Sequence, residues 1–392
     1  MTRDPRPAIT GTGRSAVGRR LDRDPLGLAV DGCLAAIEDA GLTRDDIDGV
    51  AAFVPDDGSV GVHELQEALG LELDWYVGTI GGPSQLSAVW EACLAVASGA
   101  ATHVLAFHAS CEGSVRASRG RGGSLPGTAR GMPARASGAQ AWWLPFGAPS
   151  AVNIISMYAQ RHFHEFGTTR EQLGQLAVVQ RENAGRNPDA IYRDPLTIED
   201  YLAARMVSEP LCLYDCDVPT DFCSAVIVSR GDAVGGLRRR PVRIDAVSTS
   251  RRHPPTWEQA DDLTTMLALR DAGSRLWERT SVRPGDIDVA GIYDGFSFIT
   301  LAWLEALGFC GRGEGGAFLE GGDRIRRDGE LPINTEGGQL SAGRMHGWGF
   351  LPEVCRQLWG EAGERQVPGG PEVGLVAAGG GIIGAAAVLL LD

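Results

Sequence analysis

Apolar residues recur at helical spacing over roughly 25–40 and 260–279, and each stretch runs through a polar turn into a short apolar segment that reads as a strand. The two turns share a core. "AGLTRDDIDGVAAF" (40–53) and "TSVRPGDIDVAGIYDGF" (280–296) both carry Asp-Ile-Asp, beginning at Asp46 in one and Asp286 in the other. A third pattern, "GTIGGPSQLSAVWEACLAVASGAATHVLAF" (78–107), predicts a turn, a helix of small residues opening at Gly81-Gly82-Pro83, and a strand. That helix carries a single charge, Glu91, and is therefore expected to be buried. It has a counterpart in "GGQLSAGRMHGWGFLPEVCRQLWG" (337–360), again a double glycine opening a helix, and "THVLAF" is answered by "EVGLVAAGGG". The order strand, helix, strand, glycine turn, helix, strand thus occurs twice, which predicts a duplicated α/β architecture with helices on the faces of each sheet.

Two irregular stretches break the symmetry: 109–150, rich in Gly, Ser, Pro and Arg, and 308–331, rich in Gly and charge. Loops of that length inside a compact domain are expected to be lids, binding loops or disordered segments. The natural junction is "GDAVGGLRRRP" (231–241), giving halves at 1–235, with a loop region at 109–170, and 236–392.

Composition narrows the chemistry. At 392 residues and 43% hydrophobic content the chain has ample core, and no apolar run approaches the ~20 residues of a membrane span. The first ten residues lack the apolar segment of a signal peptide, and a cytoplasmic protein is expected. A net charge of -14 argues against nucleic acid and anionic membrane as partners. All 36 basic residues are arginine, so a lysine Schiff base and a phosphate-binding P-loop are both excluded. Eight cysteines without a Cys-x-x-Cys pair suit a reducing compartment, and the spacing of Cys212, Cys216 and Cys223 fits no zinc pattern. In "HFHEF", His162 and His164 would diverge on a helix, so packed or solvated histidines are expected and no metal site. "GTGRSAVG" near the N-terminus lacks the immediate helix that a dinucleotide site needs.

Four stretches, "HEFGTTREQLGQLAVVQRENAGRNPDAIYRDPLT", "SEPLCLYDCDVPTDFCSAVIVS", "YDGFSFITLAWLEALGFCGRGEGGAFL" and "NTEGGQLSAGRMHGWGF", carry a resemblance that spans most of the chain. They resemble the thiolase superfamily, in its sterol-carrier-protein-x and lipid-transfer-protein branch. The resemblance implies a thiolase fold, with two βαβαβαββ halves in a five-layered α-β-α-β-α arrangement, and normally a dimer. Thiolases seat a nucleophilic cysteine at the start of the buried helix of the first half, and here that seat falls on Gly82. Cys93, three turns further on, is expected to be inert core. The slot of the thiolase Gly-His-Pro histidine holds Arg344, with His346 two residues later, and "VAAGGGIIG" lacks the second thiolase cysteine.

Retro-aldol cleavage of a β-hydroxyacyl-CoA breaks the bond that thiolases handle without any enzyme thioester. It needs a base for the β-hydroxyl, an acid, and a hole for the thioester enolate. The chain thereby resembles the thiolase-like aldolases of steroid side-chain degradation, which release a ring ketone and a short acyl-CoA such as propionyl-CoA and work with a small partner bearing a zinc finger and an OB-fold. That resemblance implies a heterotetramer around a homodimer, with the coenzyme A thioester as substrate and no cofactor. Candidate acid and base are Tyr293, opening "YDGF", and His346. Backbone groups of Gly82, Gly380 and Gly381 are candidates for enolate stabilisation, and Asp294, Arg344 and Trp348 for the substrate pocket. Arg344 or a helix N-terminus is expected to lower the Tyr293 pKa. Arg116, Arg119, Arg121, Arg130 and Arg135 either bind coenzyme A phosphates or belong to a solvated loop. Two other readings remain open: an acyl-CoA acyltransferase without an enzyme thioester, and a non-catalytic acyl-CoA-binding subunit.

Overall fold

Strands buried on both faces set the layers of this protein. A computed structural model describes residues 5–55, 59–80, 85–119, 140–252, 262–381 and 383–391. The N-terminal half comprises β1 (Pro7–Arg14), α1 (Pro25–Ala40), β2 (Gly49–Val54), α2 (Val62–Leu69), β3 (Trp75–Ile80), α3 (Ser87–Ser98), β4 (His103–Cys111) and α4 (Glu112–Arg119). A helical excursion follows, α5 (Gln140–Trp143), α6 (Ala151–Phe166), α7 (Arg170–Gly185) and α8 (Ile198–Ala203), then the short hairpin β5 (Met206–Ser208) and β6 (Leu211–Cys212), and β7 (Asp221–Arg230). The C-terminal half is β8 (Val242–Arg251), α9 (Leu267–Trp277), β9 (Val289–Ile292), α10 (Ser297–Ala306), α11 (Gly315–Leu319), α12 (Phe350–Leu358), β10 (Val373–Ala378) and β11 (Ile383–Leu391).

Helix α1 starts and stops where its sequence says. The Asp24 side chain accepts from the Gly27 amide, Pro25 occupies the first turn, and Gly41 ends the helix in the left-handed region at φ 74°. Gly11 and Gly13 of "GTGRSAVG" lie in β1, where they let α1 pack closely. A Cβ on Gly13 would collide with the Ala36 amide and the Gly32 carbonyl. Alternation then sorts the faces. Leu105 and Phe107 of β4, with Val50 and Ala52 of β2, join the core under α1 and α2, while Val104, Ala106, Ala51 and Phe53 join the core that holds α3. Helix α12 belongs to that same inner core and packs against β9 and β10 as well as β1 and β7, and α9 covers β8 and β11. The result is the five-layered thiolase fold.

The duplication is visible in strand pairing. In the first half β1 is antiparallel to β7, β7 antiparallel to β4, β4 parallel to β2 and β2 parallel to β3. In the second, β8, β11, β10 and β9 repeat those senses, and Ala290 bridges in parallel to Ile333 where β3 would lie. A register shift falls between Ile9 and Gly11 where β1 meets β7, and another between Val388 and Leu389 where β11 meets β8. Strands β1 and β8 pair with each other through Ala8–Arg243 and Ile9–Val242, fusing the two sheets into one of nine strands.

Several expectations are corrected. The helix expected at 260–279 spans Leu267–Trp277, with residues 253–261 outside those described. The stretch 109–150 is not wholly irregular, since β4 continues to Cys111 and α4 follows directly. Helix α3 begins at Ser87 and not at the glycine turn, whose residues 81–84 lie outside the described set. The helix that opens at Gly337-Gly338 is a single π-helical turn, Gly338–Ala342, and not the start of the long helix expected, since α12 begins only at Phe350.

Candidate active site

Positions 104, 106 and 108 of β4 share the face that looks toward α3, so His108 continues an apolar row and is fully buried. Its Nδ1 lies 2.9 Å from the Phe53 carbonyl oxygen at the end of β2, and its Nε2 lies 3.0 Å from Nδ1 of His346. His346 comes from the turn between the π-turn and α12, at a φ of 51° that a non-glycine residue seldom adopts. Its side chain is 16% exposed, and its Nε2 faces Glu112 Oε2 at 3.7 Å. Trp348 packs behind the pair, its ring 6.3 Å from that of His108, and its carbonyl is held by the Ser224 hydroxyl at 2.7 Å. Burial, and the neighbouring His346, hold the His108 pKa well below the ordinary imidazole value, so His108 is neutral near pH 7.

One guanidinium joins the two halves beside this pair. Arg344 donates to both Glu112 oxygens, at 2.9 and 3.2 Å, and its Nε pairs with Asp217 at 2.8 Å. Burial pushes Glu112 up, but Arg344, His346 and Arg116 more than offset it and hold the carboxyl at about 2. For Asp217 burial wins over Arg344, and its pKa rises to about 6.

Tyr293 follows β9, its amide donating to the Ala377 carbonyl of β10. Gly347, next to His346, lies against its ring: a Cβ built there would sit 3.5 Å from Tyr293 Cδ2, 3.1 Å from Ala378 Cβ and 3.8 Å from Gln85 Cβ. Burial and then Asp217 raise the Tyr293 pKa, overcoming the opposite pull of Arg344 and Gln339. Arg344 does pull it down as the sequence suggested, but the net shift is upward and the phenol keeps its proton at neutral pH. Asp294 turns inward and accepts the amides of Gln339, at 3.0 and 2.8 Å, and of Leu340, at 3.3 Å, anchoring the π-turn instead of lining an open pocket. Its pKa rises to about 7 through burial.

The fold thus gathers Tyr293, Arg344 and His346, with Trp348 buried behind them. Gly380 and Gly381 form the turn after β10, beyond the Ala378 that faces Gly347; Gly82 lies outside the described residues. The sequence reading missed His108, Glu112 and Asp217. A signal for His108 existed: a polar residue inside the continuous apolar run of β4. Cys93 is buried core, its thiol pushed up to about 12 by burial. His162 bonds Glu305 at 2.9 Å and Thr168 at 3.1 Å, a satisfied core histidine, and among the described residues no group of His, Cys, Asp and Glu could hold a metal ion. Of the loop arginines, Arg116 donates to Glu112 at 2.7 Å and Arg119 ends α4, while Arg121, Arg130 and Arg135 lie outside the described residues. Among the described residues no helix is long and apolar enough to cross a membrane.

Residues 250–392 match the thiolase C-terminal domain-like family. Over 383 residues the chain is 35% identical to a steroid side-chain-cleaving aldolase of Thermomonospora curvata, covering 96% of this chain and 95% of that one. The chain belongs to the thiolase superfamily. Within it, this thiolase-like chain is also 33% identical over 359 residues to the 17-hydroxy-3-oxo-4-pregnene-20-carboxyl-CoA lyase of Mycobacterium tuberculosis, with 90% of this chain and 91% of the lyase covered. The solved Ltp2-ChsH2(DUF35) aldolase superposes on it with a TM-score of 0.88 at 32% identity, over 99% of this chain and 98% of that one. A part-length match to rat sterol carrier protein 2, 32% identical over 56% of this chain and 42% of that protein, agrees with the sterol-carrier branch.

Proposed function

We propose that this thiolase-like chain is a carbon–carbon lyase that performs retro-aldol cleavage of a β-hydroxyacyl-CoA, a steroid side-chain intermediate, to a ketone and a short acyl-CoA such as propionyl-CoA. The observation that carries the reading is an imidazole, His346, next in the chain to the Gly347 that lies against a buried protonated phenol, Tyr293, in a chain whose resemblance leaves both thiolase cysteine positions without sulfur. His346 takes the proton of the substrate hydroxyl. The O–H electron pair closes the ketone C=O, the Cα–Cβ bond breaks, and its pair moves into the thioester enolate. Tyr293 donates toward that enolate and supplies the proton that completes the acyl-CoA. The backbone amides of Gly82, Gly380 and Gly381 are the further donors this reading assigns to the enolate oxygen, and Arg344, fixed by Glu112 and Asp217, supports the charge of the site. No step calls for a metal or an organic cofactor.

The assembly follows the same relatives. A homodimer of this chain holding a small partner with an OB-fold and zinc finger, as a cytoplasmic heterotetramer, completes the proposal; the DUF35 protein named with the Ltp2 aldolase supports the partner subunit alone. The test uses the co-expressed complex, tertiary β-hydroxyacyl-CoAs and mass spectrometry without free coenzyme A. Equal amounts of ketone and acyl-CoA, falling ~100- to 1000-fold in Tyr293→Phe, are expected. Cleavage that requires added coenzyme A would instead indicate the acyltransferase, and no turnover under either condition the acyl-CoA-binding subunit.

A further inference from the structure

We infer that His108 is a positioning residue that fixes His346 as the Nδ1–H tautomer, leaving Nε2 to carry the reactive lone pair. This deepens the proposed function and rests on His346 being its base. The argument is one of donors and acceptors. The Phe53 carbonyl can only accept, so the 2.9 Å contact places a hydrogen on His108 Nδ1. His108 is fully buried, where a second proton would leave an imidazolium in an apolar layer between Phe53, Phe222 and Trp348. Its Nε2 is therefore bare and must accept, and the only hydrogen that satisfies the 3.0 Å contact is one on His346 Nδ1. With Nδ1 so occupied, neutral His346 has its lone pair on Nε2, on the side of Glu112.

The chain Phe53 O, His108, His346 does for this imidazole what a buried acceptor does for the histidine of a catalytic triad: it chooses the tautomer and the ring orientation. After Nε2 takes the substrate proton, the His346 Nδ1–H bond to His108 persists, and the new Nε2–H faces the ionised Glu112. The left-handed backbone at His346 is consistent with a ring held for its position and not for packing.

The experiment uses the full complex with ¹⁵N-histidine. In the unmodified protein at alkaline pH, the His346 resonances, identified by their loss in His346→Asn, should show Nδ1 protonated and Nε2 bare; the reverse pattern overturns the inference whatever the turnover. Three variants give the kinetic arm. His108→Gln keeps an acceptor near the Nε2 position, His108→Asn keeps only a partner for Phe53, and His108→Phe keeps volume alone. The expected result is a kcat loss of at least about 30-fold in Asn and Phe with KM within about twofold, and at least about tenfold of that loss recovered in Gln. Asn equal to or better than Gln would make His108 a structural support and refute the role. An unmodified complex without aldolase turnover would refute the proposed function, and the tautomer measurement would still decide the role of His108.

Discussion

Replacing Arg344 with methionine removes a cation that bonds both Glu112 and Asp217, leaving Arg116 beside Glu112, and its cost should depend on pH in a calculable direction. Glu112 is held at about 2, below its unfolded range, so its contribution to stability is present above about pH 4.5 and lost as pH falls. Asp217, at about 6, has the opposite sign: its folded state prefers the proton, so stability declines as pH rises from about 4 through 6. Without the guanidinium both carboxyls move up; at pH 8 Asp217 is left as a buried charge that has lost its ion pair, while Glu112 retains Arg116. Breaking a buried pair of this kind costs ~3–5 kcal/mol. At pH 5 both groups escape by taking up protons, each unit of raised pKa returning about 1.4 kcal/mol, so the loss should be at least ~2 kcal/mol smaller than at pH 8. Urea unfolding of Arg344→Met at the two pH values reads this difference directly. A loss that is equal at pH 5 and pH 8 would refute the electrostatic account. Adding Asp217→Asn should recover ~1–2 kcal/mol at pH 8 and little at pH 5.

Gly338→Ala should lower stability by ~3 kcal/mol or more, because its φ is 60° and a Cβ would collide with Asp294 Oδ2; thermal unfolding checks it. Asp294→Asn should flatten the pH dependence of stability between about 4 and 7, since the raised carboxyl favours the folded state fully below its unfolded pKa and loses that preference as pH climbs through 7; urea midpoints across that window report it. Cys93→Ala should leave kcat within about twofold of the unmodified enzyme, because a buried thiol at about 12 supplies no thiolate near pH 7, and a thiolase-like loss of activity would contradict the absence of sulfur chemistry.

Fold class was legible in the sequence because a repeated pattern is long-range information written locally. The Asp-Ile-Asp turns, the helix before each, and the strand after each needed no tertiary knowledge. Element starts were less so. The glycines at 337–338 suggested a helix start, yet Asp294, 45 residues back, captures the Gln339 amide and holds a π-turn there. Tyr293 and His346 came from resemblance and motif, and the fold does bring their segments together. His108, Glu112 and Asp217 were hidden because their meaning lies in cross-sheet pairing: each is ordinary in its own segment and gains its role only when Arg344 and His346 arrive from the other half.

The repeated register also says what each half brings. Gly49 faces Val104 in one half as Val289 faces Gly374 in the other. Moving four residues along each strand sets Phe53 against Tyr293 and His108 against Ala378. An ancestral pair of identical halves would have had to present the same side chain at both members of each equivalent pair, giving a symmetric pocket suited to a symmetric ligand. In the fused chain one member of each pair is free to differ: a carbonyl-bound imidazole on one side, a phenol on the other, and only a methyl where a second imidazole would stand. The two equivalent walls of the fold have thus become a carbonyl-bound imidazole that contacts His346 and a buried phenol, so the two sides of the site are chemically unlike.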